Sequence, residues 1–170
     1  RGHCTTQRLV IISGGGILDI IKVEQKAKEL FGEGGLFCAE SGLTAVSDEA
    51  GMISPLIPRI ATGFCGGISR TRGICGAVAG GVMALGIVFG RDNADQSHET
   101  VYKKVQQFLR AFEEEYKSTN CFELTGCDLN TEEGRQTFYH EGVVEKCRRF
   151  TGKAASLAAR IIADARDDDE

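Results

Sequence analysis

The stretch GFCGGISRTRGICGAVAGG, residues 63–81, sets two cysteines, Cys65 and Cys75, and two arginines, Arg70 and Arg72, among many glycines. Its apolar continuation predicts a helix that begins near residues 72–74 and runs to Phe89. Gly76, Gly80 and Ala84 fall four apart and so share one smooth face, widened by Ala77 and Gly81. Val78, Val82, Leu85 and Phe89 supply a bulkier face. Four glycines inside a helix cost several kcal/mol of propensity, at about 1 kcal/mol each against alanine. The close approach of another helix or of a bound group is what offsets such a cost. Small residues at this spacing also occur in membrane helices. This run is shorter than the roughly 18–20 residues a span needs, so membrane insertion is not expected.

Outward from that helix the chain reads as helical almost throughout. Residues 19–31 place Ile20, Val23, Ala27, Leu30 and Phe31 on one face, with Gly32 as the stop. A second helix is predicted over 37–46, with Cys38 in its first turn. SPLIPRIATGF, residues 54–64, reads as a third, with Ser54 as N-cap and Pro55 at the first helical position. Ser97 or Asp95 is expected to cap a long helix ending near Tyr116, in which Val101, Val105, Phe108, Leu109, Phe112 and Tyr116 keep the 3.6-residue period. Asn120 with Glu123 forms a capping-box-like start that puts Cys121 in a first turn, and Asn130 with Glu133 repeats the signal. A final helix is expected over 146–165. The fold class that follows is all-α: a helical, bundle-like array around the glycine-faced helix. We divide the chain into an N-terminal arm (1–21), a helical cysteine-rich domain (22–165) and an acidic tail (166–170).

At 170 residues the chain can bury a real core, and 42% apolar with 26% charged residues is ordinary for a globular domain. The net charge of −4 gives no reason to expect nucleic acid. The seven cysteines are Cys4, Cys38, Cys65, Cys75, Cys121, Cys127 and Cys147, an odd number that forbids complete internal pairing. A chain this long folds without disulfides, so the cysteines fit a cytoplasmic setting. The first residue, Arg1, leaves a removed signal peptide open. Cys38, Cys75 and Cys121 fall at or near predicted helix starts, and Cys147 near the start of the last helix. There, free backbone N–H groups and the positive end of the dipole favour a thiolate. Several helix starts converging on one centre is the expectation.

GLFCAESGL, GFCGGISRTRGICGAVAGG, NCFELTGCDL with EEGRQTF, and VVEKC ahead of the last helix resemble the C-GCAxxG-C-C family of redox-active proteins. The likeness runs over residues 22–163. It implies a bacterial or archaeal helical domain with four hallmark cysteines, here Cys38, Cys75, Cys121 and Cys147. Cys127 also falls at a family-like position, whereas Cys65 and Cys4 stand outside the set. A related domain occurs in haem-containing split-Soret cytochromes, but this chain has no Cys-x-x-Cys-His, so covalent c-type haem is not expected.

Three site readings stay open. Cys38, Cys75, Cys121 and Cys147 could ligate an Fe–S cluster or another metal, gathered by the fold across spacings of 37, 46 and 26 residues. Alternatively, two sulfurs within disulfide reach could exchange with a redox partner protein, Cys121 with Cys127 or Cys38 with Cys75 being the candidates and Cys127 the resolving thiol. The third reading is thiols buried only for packing, as in a helical interaction module; a metal- or anion-binding accessory protein without turnover is a separate alternative. Gly66, Gly67, Arg70 and Arg72 ahead of a helix start form a candidate anion cradle, without the lysine of a phosphate-binding loop. The arginines could equally support a thiolate. His3, His98 and His140 are scattered and suggest no acid–base set.

Overall fold

The computed structural model describes residues 10–11 and 18–167. Cys4, His3, most of the 1–21 arm and the end of the acidic tail lie outside the described residues. Within them the chain is mostly helical: α1 (Ile20–Leu30), α2 (Cys38–Glu49), a 3-10 turn (Arg59–Phe64), a short turn α3 (Cys65–Arg70), α4 (Gly76–Phe89), α5 (Glu99–Tyr116), α6 (Cys121–Thr125), α7 (Glu132–His140) and α8 (Val143–Asp167). The strands are two residues long, β1 (Val10–Ile11) pairing antiparallel with β2 (Met52–Ile53).

The caps follow local chemistry. Asp19 accepts from the Lys22 N–H to start α1. The Asn120 side chain accepts from the N–H groups of Phe122 and Glu123 to start α6. Three expected boundaries are corrected. Residues 54–64 do not form one helix. Ser54 accepts from the Leu56 N–H in a turn, and regular winding begins only at Arg59, as a 3-10 segment. The cap of α7 is Thr131 rather than Asn130, its hydroxyl accepting from the Gly134 N–H. The cap position of α5 is His98, one residue after Ser97, whose hydroxyl still takes the Glu99 N–H. Helix α8 is longer than expected at both ends, since its buried Val143, Phe150, Ala154, Ala158, Ile161 and Ile162 carry one apolar stripe along the whole helix.

Helix α4 lies at the centre, packed on α2 and α8 and flanked by α5, while α1 crosses α8 and α2. It is apolar on all sides, as a helix inside a core must be. A Cβ at Gly80 would stand 2.7 Å from the Ala39 carbonyl oxygen of α2, and one at Gly81 would enter the Phe108 ring of α5. The glycine face is therefore a place where neighbours touch the α4 backbone. Burial of Leu43, Val46, Val78, Leu85, Phe108, Phe112 and Ile162 closes the core around it. Tyr116 and Phe150 extend this core with an edge-to-face contact at 4.8 Å. Ion pairs Lys26–Asp48 and Lys153–Glu115 are exposed trimmings that add little.

The glycines of α4 separate by sign. Gly86 has nothing within 4 Å of an added Cβ, so Gly86→Ala should stabilise by about 1 kcal/mol through helix propensity. Gly80→Ala should destabilise by about 1–3 kcal/mol despite the same propensity gain, because α2 must move. Urea midpoints of the two variants check the contrast; a shift in the same direction for both would refute close packing at Gly80.

Candidate functional site

A cavity of about 730 Å³ opens where the N-terminal ends of α2, α4 and α6 meet the first turns of α8. Cys38, Cys65, Cys75, Cys121 and Cys147 all line it. They are the first residue of α2, the first of α3, the N-cap of α4, the first of α6 and the fifth of α8. All six cysteines among the described residues are free thiols. Cys127 is buried but does not line the cavity; its thiol donates to the Thr125 carbonyl at 3.5 Å. His98 and His140 lie off the cavity wall.

Backbone contacts hold these sulfurs in place. The Cys75 N–H donates to the Thr119 carbonyl at 2.7 Å, and the Cys121 N–H to the Gly73 carbonyl at 2.8 Å. This reciprocal pair sets Cys75 beside Cys121, and Asn120 reinforces it by donating from its side-chain amide to the Arg72 carbonyl. Two glycines then make room for sulfur. A Cβ at Gly67 would lie 2.5 Å from the Cys121 Cβ and 3.1 Å from its Sγ. A Cβ at Gly76 would overlap the Cys38 Sγ and stand 3.2 Å from the Cys65 Cα. Cys38 and Cys65 therefore meet across the bare backbone of Gly76. The Cys65 thiol donates to the Ala61 carbonyl at 3.6 Å, with the Cys38 sulfur as its neighbour.

Cys65 was set apart from the hallmark cysteines by sequence. The structure places it on the cavity wall against Cys38, at the N-terminus of α2, where the N–H groups of Glu40 and Ala39 point at its sulfur. No local signal could have found this contact, because it spans α2 and α3. Gly66 and Arg70 line the cavity; Gly67 acts from behind through Cys121. Arg72 is turned away, its guanidinium over the Phe122 ring and 3.8 Å from Asp128. The backbone carrying these residues is left-handed from Gly66 to Arg70 and again at Arg72. Ile68, at φ 47°, is β-branched, and such residues avoid this region. Conformations of this kind cost of order 1–3 kcal/mol each and gather at functional sites.

The electrostatics reverse one expectation. Helix starts do aim N–H groups at sulfur: Ala77 and Val78 at Cys75, as Glu40 and Ala39 at Cys65. These lower the thiol pKa, but burial outweighs them. Burial, then the charge of Cys121, pushes Cys75 up to about 12. Burial is also the first cause raising Cys121, Cys127 and Cys147; neighbouring sulfurs add to it at Cys121 and Cys147, and the Glu141 carboxylate at Cys127. Cys65 is raised first by its hydrogen bond to Cys38, then by burial. Cys65, Cys75, Cys121, Cys127 and Cys147 are thus protonated at neutral pH. Among the described residues no three His, Cys, Asp or Glu side chains stand together as a site for one metal ion.

A raised thiol pKa means that the folded protein keeps protons the unfolded chain releases. The stability these thiols contribute is complete below the ordinary thiol value of 9.0 and is lost as pH climbs toward about 12. Urea midpoints measured with a reductant present should hold steady up to about pH 8.5 and fall beyond it; a midpoint unchanged to pH 10.5 would show the thiols to be exposed.

Among protein families, residues 36–161 match the model described as "Putative redox-active protein (C_GCAxxG_C_C)". The match spans most of the chain, and the protein belongs to this family. No curated protein and no solved structure matches it.

Proposed function

We propose that the protein is a thiol–disulfide redox protein whose reactive pair is Cys38 and Cys65. The observation that supports this is the contact of the Cys65 thiol with the Cys38 sulfur on the wall of a cavity large enough for a small molecule. Cys38 is the more accessible of the two, being half-buried where Cys65 is buried, and is the attacking sulfur. Its proton leaves to solvent, and the Cys38 sulfur attacks one sulfur of a substrate disulfide, breaking the S–S bond. The departing thiolate takes the Cys65 proton. The Cys65 sulfur, with the Glu40 and Ala39 N–H groups holding its charge, attacks Cys38 and expels the second substrate sulfur as a thiolate, which takes a proton back from solvent. Two protein thiols are oxidised to one disulfide, and one substrate disulfide is reduced to two thiols.

One observation favours a second reading. Cys75, Cys121 and Cys147 line the same cavity, and a disulfide uses only two sulfurs. The surplus is a donor set for an iron–sulfur centre, which would supply one-electron transfer. In that reading these thiols would give up their protons on binding, which their raised pKa values make pH-dependent.

Incubation of the reduced protein with hydroxyethyl disulfide, followed by peptide mass mapping, tests the first reading. A Cys38–Cys65 disulfide should form and be reversed by dithiothreitol. Cys65→Ser should stall at a mixed disulfide on Cys38, and Cys38→Ser should slow the reaction by at least about tenfold, as loss of the attacking sulfur requires. Unreacted thiols, together with iron and labile sulfide in anaerobically purified protein, would overturn it in favour of the second reading.

A further inference from the structure

Resting on the dithiol reading, the geometry points to a substrate class: a small organic disulfide that carries a carboxylate, whose anionic end is held by Arg70 at the mouth of the thiol cavity. The cavity lining contains two guanidiniums and no carboxylate. Arg135 is already committed, donating to the Leu129 and Asn130 carbonyls and to Glu132. Arg70 is exposed and, among the described residues, its guanidinium takes part in no hydrogen bond or ion pair. The base of its side chain stands beside the cavity wall. Its backbone is left-handed at φ 71°, and its stem lies over Gly66, where an added Cβ would meet both the Arg70 Cγ and Leu129 at 3.7 Å. A planar guanidinium so placed matches a carboxylate better than it matches a neutral group.

The rest of the lining suits what such a molecule carries behind its charge. Phe37, Leu129, Phe138 and Val144 give an apolar wall, and Cys38 with Cys65 stands on it. About 730 Å³ accommodates a small molecule whole. Docking of an acidic disulfide would set its carboxylate on Arg70 and its S–S bond before Cys38. The exchange then follows the steps above, with two carboxylate-bearing thiols leaving.

Binding is read first on a ligand that cannot exchange. Thiodipropionate, a thioether dicarboxylate, should bind the reduced full-length chain in calorimetric or NMR titration. Thiodipropanol, its neutral counterpart, should bind at least about tenfold more weakly. Arg70→Gln should weaken thiodipropionate about fivefold, the scale of an exposed ion pair, and Arg70→Lys should restore part of it. Equal binding of diol and diacid, or an Arg70→Gln chain that binds the diacid as the natural one does, would overturn the inference. Because the thioether has no S–S bond, its result stands apart from the hydroxyethyl disulfide reaction, which reads the dithiol function alone. Dithiodipropionate should then oxidise Cys38 and Cys65 faster than hydroxyethyl disulfide does; a slower reaction would count against the acidic substrate.

Discussion

The absence of a Cβ at Gly67, Gly76 and Gly80 is the constraint on which the rest of the structure depends. Gly80 brings the α2 backbone against α4, so the N-terminal ends of these helices come together. Gly76, one turn earlier, leaves the space that the Cys38 sulfur fills. Gly67 leaves the space for Cys121, and the reciprocal hydrogen bonds between the loop after α3 and the start of α6 lock that arrangement. A methyl group at any of these positions would displace a backbone or a sulfur. The propensity cost of the glycines is the cost of drawing cysteines from distant parts of the chain to one cavity.

Once gathered, the thiols are governed by two opposed effects. Helix starts offer N–H groups that favour the thiolate, while burial and the nearness of other sulfurs favour the protonated form. Burial prevails at Cys75, Cys121 and Cys147. These three sulfurs on the cavity wall are therefore held as neutral thiols. The left-handed turn Cys65–Arg70 belongs to the same design. It turns the chain tightly enough to place Cys65 and Gly66 on the cavity wall and Arg70 at the mouth, at the expense of Ile68, Ser69 and Arg70 in a region they disfavour.

Much of this was legible in the residue order. The period of α5, the Asn120 cap and the smooth face of α4 are local properties, and each appears as read. So does the coincidence of Cys38, Cys75 and Cys121 with helix starts, which at Cys121 is marked by the Asn120 cap. The misreadings have local causes as well. Two prolines at 55 and 58 resemble a helix start, yet the segment between them turns before it winds. Asn130 and Thr131 are both good caps, and only the hydrogen bond to Gly134 chooses between them. The nearness of Cys65 to Cys38 was not legible, because the two lie 27 residues apart in sequence.

The sequence by itself determined that this is a helical domain of the C-GCAxxG-C-C family, with a central helix that others must approach closely. Periodicity, capping and glycine spacing act over a few residues and survive in one dimension. The tertiary structure alone decided which sulfurs face one another, that Cys65 stands with Cys38, that Arg72 turns outward while Arg70 remains at the cavity, and that burial raises the Cys75, Cys121 and Cys147 thiols. Those outcomes depend on distances between elements and on exclusion of water, and both arise only when the helices pack.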